Sequence, residues 1–479
     1  MFKSAMLDWL LHSELPNSIG QLKHLRYLNL SRCRIKQLPQ SVGFLFNLQT
    51  LILQSCEELT RLPQVIKNLQ NLRVLDLTDT SNLQEMPIQI GNLKNLQTLT
   101  KFIVGKGIGS AVNIQDASNA NLSDKHGLTA LDLQWSLNPQ NEEGEMHVLE
   151  RLLPHKNLEK LRILFYGGKK FPSWLGMDNV QKVDVEFYGH GFPSVKPFPL
   201  LEILRFKDML DWTCWSSPSQ GNEDSWEEFP CLRELVVEDC PKLSRKLPSR
   251  LPSLLKLVIK RCPKLEGSSL SFPSLDELNI EDCNVELLGS ILGLTSLTTV
   301  TARSRPKLQC LQNGVVQFPG ALRVLVISNC NGLTSLWQKG AILLNIASLE
   351  CLKITGCPQF VSLAEKEQGL SRGLDDLGSL NSYNLWKSPW GMHGFTSLVD
   401  LQIKSCPNLV FFPKTSFVPM LKNLKLKDCR ALKSLPSGMM MLNCPLEELE
   451  IEDCPALTCF PSGRITTTLR RLRIGTVMI

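Results

Sequence analysis

The sequence lacks the short motifs that would place catalytic or metal chemistry in it. It contains no H-E-x-x-H and no G-x-x-x-x-G-K-[ST], so neither a zinc protease nor a phosphate-binding loop is indicated. Its sixteen cysteines include no C-x-x-C pair and have no matching ladder of histidines, which argues against a structural zinc site. We therefore expect no enzymatic activity, no cofactor and no metal ligand in this chain.

Long apolar runs and a charge excess of one sign are also missing. No stretch approaches the roughly 18 apolar residues that a membrane-spanning helix needs. Asp8 interrupts the one apolar stretch near the start, so no signal peptide is indicated. The net charge of +6 is small for 479 residues, whereas nucleic-acid binding needs clustered basic residues. We expect a cytoplasmic protein with reduced cysteines and with neither membrane nor nucleic acid as a partner.

What the sequence does have is a repeat of the form L-x-x-L-x-x-L-x-L-x-x-C. It is first clear from Leu22 to Cys33 and returns from Leu45 to Cys56. If Leu28 is the first strand core, thirteen of the seventeen following intervals are 21 to 27 residues long. The predicted later cores are Leu51, Leu75, Leu99, Leu131, Leu161, Val183, Leu204, Leu235, Leu257, Leu278, Val300, Leu325, Leu352, Leu401, Leu424, Leu449 and Leu472.

A repeat this short holds one strand and one return segment. The L-x-L step has a period of two, which sends its apolar residues to one face of a strand. Leu-Pro pairs at Pro16, Pro39 and Pro63 predict non-helical turns in the return segments. One repeat buries too little to fold alone, so neighbours must stack. The sequence predicts an α/β leucine-rich-repeat solenoid, a horseshoe with a concave parallel β-sheet and a mostly irregular, short-helical convex side.

The regularity of the repeat divides the chain into three regions. Residues 1–104 hold regular repeats, and residues 105–200 hold irregular repeats with an interruption. Residues 201–479 form a C-terminal set with a degenerate stretch at 364–395, because the interval from Leu352 to Leu401 is 49 residues.

Ten of the sixteen cysteines lie five residues after a strand core. Many leucine-rich repeats have asparagine there, because the side chain must be buried at the turn and bond to backbone. Cysteine is small, readily buried and a weak donor, so a structural role is favoured over metal binding. The ten are Cys33, Cys56, Cys240, Cys262, Cys283, Cys330, Cys357, Cys406, Cys429 and Cys454.

Charged residues beside the strand cores change sign from repeat to repeat. Three residues after the cores the series reads Glu238, Lys260, Glu281 and Arg303, and the inversion recurs at Lys427 and Glu452. Adjacent strands lie about 4.8 Å apart, so opposite charges at equivalent positions form cross-strand ladders. We favour this self-compensation over a charged ligand patch, and the same pattern argues against a continuous basic track for nucleic acid.

Positions where the ladders break are better candidates for partner contacts. Val236, Val258, Tyr27 and Ile52 are expected to point to solvent from the concave face, and apolar residues exposed together tend to mark interfaces. Ordinary strand propensity explains them equally well. The candidate contacts on the concave face are Tyr27, Asn29, Ile52, Asp76, Val236, Val258, Lys353, Lys425 and Arg473.

Beyond the repeat itself, several segments resemble one family over nearly the whole chain: plant intracellular disease-resistance receptors of the coiled-coil, nucleotide-binding (NB-ARC), leucine-rich-repeat type. The resemblance is to their C-terminal repeat portion. The segments that carry it are residues 15–30, 90–99, 101–105, 120–125, 148–154 and 171–175.

The resemblance implies a protein-binding scaffold in plant innate immunity. In this family the repeats sense a pathogen effector, directly or through a guarded host protein, and help to hold the nucleotide-binding module at rest. The implied partners are an effector, a guarded host protein or the NB-ARC module of a related receptor. ADP or ATP would belong to an NB-ARC module that this chain lacks. Because neither end shows a capping repeat, we expect a truncated receptor, a partial gene model or a decayed paralogue.

Two other functions remain as alternatives. A substrate adaptor of a ubiquitin ligase also uses short leucine-rich repeats, but no F-box-like helical segment precedes Leu22. The ectodomain of a cell-surface receptor is disfavoured by the missing signal peptide and by cysteines expected to be buried and unpaired.

Overall fold

The computed structural model describes the following parts of the chain: residues 14–87, 90–104, 114–135, 142–168, 172–175, 198–213, 229–244, 247–248, 251–266, 272–284, 295–304, 308–309, 320–337, 347–364, 395–410, 419–435, 445–458 and 468–475. The chain divides into two compact units. Unit 1 comprises Met1–Leu254 with Arg261–Lys264, and unit 2 comprises Leu255–Lys260 with Leu265–Ile479.

In unit 1, eight described strands pair in parallel and in chain order. Their cores face each other across each pair, as Leu28 faces Leu51. The register shifts once, between Leu99 and Phe102. The strands are β1 (Tyr27–Asn29), β2 (Thr50–Ile52), β3 (Val74–Asp76), β4 (Thr98–Val104), β5 (Ala130–Trp135), β6 (Lys160–Leu164), β7 (Ile203–Lys207) and β8 (Glu234–Glu238).

Unit 2 contains eleven described strands: β9 (Lys256–Lys260), β10 (Glu277–Glu281), β11 (Thr299–Arg303), β12 (Val324–Ser328), β13 (Ser335–Trp337), β14 (Cys351–Thr355), β15 (Ser362–Ala364), β16 (Asp400–Lys404), β17 (Asn423–Lys427), β18 (Glu448–Glu452) and β19 (Arg471–Ile474). Nine of them pair in parallel and in chain order. Strands β13 and β15 pair only with each other in a small second sheet. The sequence did not predict this second sheet.

The predicted strand positions are confirmed, and the described cores are buried except Leu472, which is 51% exposed on β19, a strand that pairs with β18 alone among the described strands. Every predicted core among the described residues lies in a strand, while Val183 lies outside the described residues. A typical strand such as β10 buries Leu278 and Ile280 and leaves the alternate residues Glu277, Asn279 and Glu281 partly exposed. This alternation follows from the period-two pattern, because one face of each strand packs on the core.

The return segments are short, as predicted, and many are helical. They include 3₁₀ helices at Asn17–Gln21, Gln40–Phe44, Gln64–Asn68, Ile90–Asn92, Leu122–Asp124 and Ser173–Leu175. Two α-helices are α1 (Ile114–Asn119) and α2 (Glu142–Arg151). None of the helices that the structure describes is both long and apolar enough to cross a bilayer.

The interpretation of Pro16, Pro39 and Pro63 as non-helical turns was wrong. Each of these prolines immediately precedes a 3₁₀ helix, with φ of −67°, −68° and −68°. The fixed φ of proline suits the start of a helix, and its missing N–H is not needed there.

A ladder of polar side chains joins successive repeats at the turn before each strand. The Nδ2 atoms of Asn47, Asn71 and Asn95 each donate to a backbone carbonyl of the preceding repeat, at 2.8 to 2.9 Å. In other repeats a hydroxyl takes this role, as when Ser296 donates to the Leu275 carbonyl at 2.7 Å. These bonds satisfy turn carbonyls that no strand partner reaches.

The residue four positions after most strand cores is left-handed. In fourteen repeats its φ lies between 49° and 64°, and its N–H commonly donates to the next repeat, as Asp428 does to Glu452 at 3.0 Å. Aspartate and asparagine tolerate this conformation better than most residues. Gly356 occupies it after β14, where a Cβ atom would lie 2.4 Å from Oδ1 of Asn329.

The predicted burial of the cysteines is confirmed. Nine of the ten are buried and Cys283 is half-buried, and they form what we call the cysteine column. Several thiols donate to a carbonyl of the preceding repeat, such as Cys56 to Leu30 at 3.0 Å and Cys283 to Ile259 at 3.5 Å. Burial raises the pKa of the Cys56 thiol to about 11.

A buried lysine, Lys125, donates hydrogen bonds to backbone carbonyls of the return segment before β4. Nζ of Lys125 donates to the carbonyls of Gly91 and Leu93, both at 3.0 Å, where the 3₁₀ helix Ile90–Asn92 leaves them without helical partners. Burial lowers the pKa of Lys125 to about 8. These bonds explain how a charged side chain is tolerated in the core.

Candidate functional site

The exposed face of each sheet is the surface most open to variation. In strands such as β8, β10 and β17 the residues before and after the core, and the residue three positions after it, point away from the packed interior and are half-buried or exposed. Because these side chains contribute little to the core, their chemistry can change from repeat to repeat without loss of the fold.

Charge ladders cover the C-terminal strands of unit 2, as the alternating signs predict. Lys427 lies 2.9 Å from Glu452, and Glu450 lies 3.8 Å from Lys425 and 3.5 Å from Arg473. The hydrogen bond from Lys427 lowers the pKa of Glu452 and raises the pKa of Lys427 itself. Strands β17, β18 and β19 therefore neutralise one another.

Charge becomes sparse at strands β11, β12 and β14, where Arg303 and Lys353 are the two charged residues on the exposed face of these strands. Val324 and Val326 stand at the positions that carry glutamates in β18. We call this surface the uncharged strip, which consists of the half-buried residues Thr299, Thr301, Val324, Val326, Ser328, Cys351 and Thr355. Charged residues border it on both sides, with Glu277 and Glu281 on β10 and Asp400 and Lys404 on β16.

An unsatisfied acceptor lies beside the uncharged strip. The side-chain Oδ1 of Asn279 on β10 is buried and has no hydrogen-bond partner among the described residues. Asn279 is the register neighbour of Thr301. An amide oxygen buried without a donor costs free energy in the folded state.

The exposed face of unit 1 holds a polar cluster instead. Asp132 lies 3.2 Å from Nη1 of Arg162, and Arg205 in the next strand donates to Glu234 at 2.9 Å. Burial raises the pKa of Asp132 to about 6, although the Arg162 guanidinium opposes the shift. Asp76 accepts hydrogen bonds from Thr78 and Thr100.

The structure places all nine predicted contact residues on the exposed faces, but in different environments. Tyr27, Asn29 and Arg473 are exposed, and Ile52, Asp76, Val236, Lys353 and Lys425 are half-buried. The expectation that Val258 points openly to solvent was wrong, because only 6% of this residue is exposed. Alternation along a strand assigns a face, but neighbouring strands decide how much of that face is covered.

Some of the nine lie close together. Asn29, Ile52 and Asp76 occupy equivalent positions on three adjacent strands. Lys425 and Arg473 are separated only by Glu450, which both of them contact. Lys353 is the register neighbour of Val326 in the uncharged strip.

Sequence reasoning missed the centre of the strip and the Asp132 cluster. Aligning the repeats on their cores and comparing only the position after each core would have extended the predicted Val236 and Val258 into an uncharged run that continues through Asn279, Thr301 and Val326. The same alignment places Asp132, Arg162 and Arg205 in one row. Among the residues whose positions are described, no group of three His, Cys, Asp or Glu side chains could hold a metal ion.

Sequence comparison with known proteins also indicates leucine-rich repeats. Residues 10–199 match the family described as leucine-rich repeat region. The chain is 33% identical over 422 residues to disease resistance RPP13-like protein 1 of Arabidopsis thaliana, covering 71% of this chain and 39% of that protein. It is 33% identical over 296 residues to disease resistance protein RGA2 of Solanum bulbocastanum, covering 48% of this chain and 30% of that protein.

Leucine-rich-repeat proteins are among the solved structures that are similar to this chain. One from Leptospira interrogans has 18% sequence identity and a TM-score of 0.37, with 72% of this chain and 76% of that chain covered. The resemblance to the repeat portion of plant disease resistance proteins is confirmed by the sequence relatives. This chain spans well under half the length of those relatives.

Proposed function

We propose that this leucine-rich-repeat chain, whose relatives are plant disease resistance proteins, is a recognition region in plant innate immunity. It binds a protein, either a pathogen effector or a guarded host protein, through the exposed face of its sheet. The relatives supply the biological setting, and the uncharged strip is the single observation that carries the location of binding.

The uncharged strip has the composition of an interface centre. Protein interfaces are depleted of charge at their cores and carry polar residues at their rims. Here valine, threonine, serine and cysteine side chains lie between the charged faces of β10 and β16, and Arg303 and Lys353 are the two charged residues among them. A partner with an apolar centre would match this arrangement.

The test compares two valine substitutions in the full chain. Val326→Asp places a charge in the uncharged strip, whereas Val361→Asp places the same charge at an exposed valine outside the strands. Each variant is fused to a proximity-labelling enzyme and expressed in leaf tissue with and without pathogen challenge. Proteins labelled by the parent chain but not by Val326→Asp are then purified and titrated directly.

We expect Val326→Asp to lower the affinity for at least one purified partner by about tenfold or more, as changes at an interface centre typically do. Val361→Asp should leave that affinity unchanged. If no labelled protein distinguishes the two variants, the uncharged strip is not the recognition surface.

We also propose that the protein acts inside the cell, where its thiols stay reduced. The cysteine column supports this, since nine of its ten thiols are buried and thiols such as those of Cys56 and Cys283 donate to backbone carbonyls. Native protein treated with a thiol reagent should react rapidly at the exposed Cys231 and slowly at the column. Rapid reaction of most of the column cysteines would contradict their burial.

A further inference from the structure

A pair of exposed aromatic residues stands on unit 1, away from the strand faces. Phe44 and Phe46 flank the end of the 3₁₀ helix Gln40–Phe44 and are 56% and 49% exposed. Their rings pack edge to face with centroids 6.5 Å apart. Two large apolar side chains exposed together leave a surface that water solvates poorly, which favours contact with another molecule.

The repeat does not require these aromatics. The positions equivalent to Phe44 in the repeats before and after are Gln21 and Asn68, and those equivalent to Phe46 are Lys23 and Gln70. All four of these residues are exposed. Because the neighbouring repeats fold with polar side chains there, the phenylalanines have no packing role that polar residues could not fill.

Basic residues surround the pair without any acidic residue. We call the turns before β1 to β4, residues 21–27, 44–50, 68–74 and 92–98, the amino-terminal rim. They contain no aspartate or glutamate. Lys23, Arg26, Arg73 and Lys94 are exposed on this rim, and none of these four forms an ion pair with any residue the structure describes.

Hydrogen bonds between the repeats fix these residues in two rows. Nδ2 of Asn47 donates to the Lys23 carbonyl at 2.9 Å, and Nδ2 of Asn71 donates to the Phe46 carbonyl at 2.8 Å. The backbone N–H of Gln49 donates to Arg26, and that of Arg73 donates to Gln49, both at 2.8 Å. Phe46 is therefore held beside Lys23 in one row, while arginines alternate with a glutamine in the other.

We propose that the amino-terminal rim is a second binding surface, which takes an acidic peptide segment carrying an apolar side chain. The uncompensated positive charge would attract carboxylates, and the phenylalanine pair would bury the apolar group. This surface is distinct in residues and chemistry from the uncharged strip, and its existence does not depend on the proposed recognition function.

A peptide fits this surface better than a nucleic acid does. Neutral Gln49 and Gln70 interrupt the cations, whereas a nucleic-acid backbone needs a continuous basic track. The two rings meet at an interplanar angle of 70°, so one ring edge covers the other's face and leaves less room for bases to stack.

The experiment measures binding of fluorescent peptides to the full chain. The probe alternates glutamate and leucine, and the comparison peptides alternate glutamate with serine or lysine with leucine. The test variant is Phe44→Asn with Phe46→Gln, which copies the residues of the next repeat. Met420→Gln, another exposed apolar residue before a strand, is the matched control.

We expect the glutamate-leucine peptide to bind in preference to both comparison peptides. The double phenylalanine variant should weaken binding by about tenfold or more, and Met420→Gln should not weaken it. Arg26→Gln with Arg73→Gln should also weaken binding and reduce its dependence on salt, which provides a second test if the phenylalanine variant misfolds.

Three results would overturn the proposal. Equal binding of the glutamate-serine peptide would show attraction by charge alone. Tighter binding of a single-stranded oligothymidylate would identify a nucleic-acid surface. Self-association of the chain that the double phenylalanine variant abolishes would make a second copy the occupant.

Discussion

The uncharged strip and the charge ladders are built on the same backbone but present different chemistry. Strands β12 and β18 both bury their cores and pair in register with parallel neighbours. Val324 and Val326 of β12 nevertheless correspond to Glu448 and Glu450 of β18. The difference shows that the buried positions specify the strand, while the exposed positions are free to specify a partner.

The energetics support this separation. Exposed ion pairs such as Lys427 with Glu452 are individually weak, whereas a buried leucine makes a large contribution through packing. Strand β12 pairs fully with β14 although the facing positions Val324 and Cys351 carry no charge. The ladders therefore prevent a field of one sign from forming, and the sheet does not depend on them for its existence.

The largest expected effect tests that separation directly. Leu424→Ala removes a fully buried core of β17 and should lower the free energy of unfolding by about 2 to 5 kcal/mol. Lys425→Ala, on the exposed face of the same strand, should cost less than about 1 kcal/mol. Urea unfolding followed by circular dichroism measures both, and hydrogen exchange should locate the loss near β17 because repeats unfold locally. Similar costs for the two variants would refute the separation of roles.

A smaller effect is expected at the left-handed residues that follow the strands. Gly356→Ala, after β14 in the region of the uncharged strip, should cost about 1 to 3 kcal/mol, because its φ is 64° and Asn329 leaves little room. Asp428→Gly, after β17 in the ladder region, should change stability by less than about 1 kcal/mol, since glycine adopts φ of 51° freely. Urea midpoints of the two variants decide this. A neutral Gly356→Ala would show that Asn329 simply moves aside.

The smallest expected effects concern pH, where two exposed-face carboxylates should behave in opposite ways. Burial raises the pKa of Asp132 to about 6, so the stability it contributes should be lost as pH rises from about 4 through about 6. Lys427 lowers the pKa of Glu452, so the stability it contributes is present above the unfolded pKa and is lost as pH falls through the lowered value.

Isosteric amides test these signs. The free energy of unfolding is measured across pH. Asp132→Asn should reduce its decrease as pH rises through about 6, and Glu452→Gln should reduce its decrease as pH falls into the acidic range. Each variant serves as the control for the other. An Asp132→Asn curve that parallels the parent curve near neutral pH would contradict the raised pKa.

For the candidate contacts, the sequence could predict which side of the strand each residue lies on, but not how exposed the residue is. Period-two alternation correctly placed Ile52, Asp76 and Lys353 on the exposed side. It could not show that Val258 is covered or that Asp132 is half-buried, because both depend on side chains from adjacent strands that are distant in sequence. Exposure on a sheet is a property of the neighbouring strands, whereas the face is a property of the strand itself.

The sequence by itself determined the strand cores, their register and the burial of the cysteine column. The apolar period is local, and a shift of one residue would turn a strand's leucines to the wrong face. Only the tertiary structure decided the 3₁₀ helices after Pro16, Pro39 and Pro63, the left-handed residues after the strands and the small sheet of β13 and β15. In these elements the local preferences are weak, and the structure is completed by hydrogen bonds and packing between successive repeats.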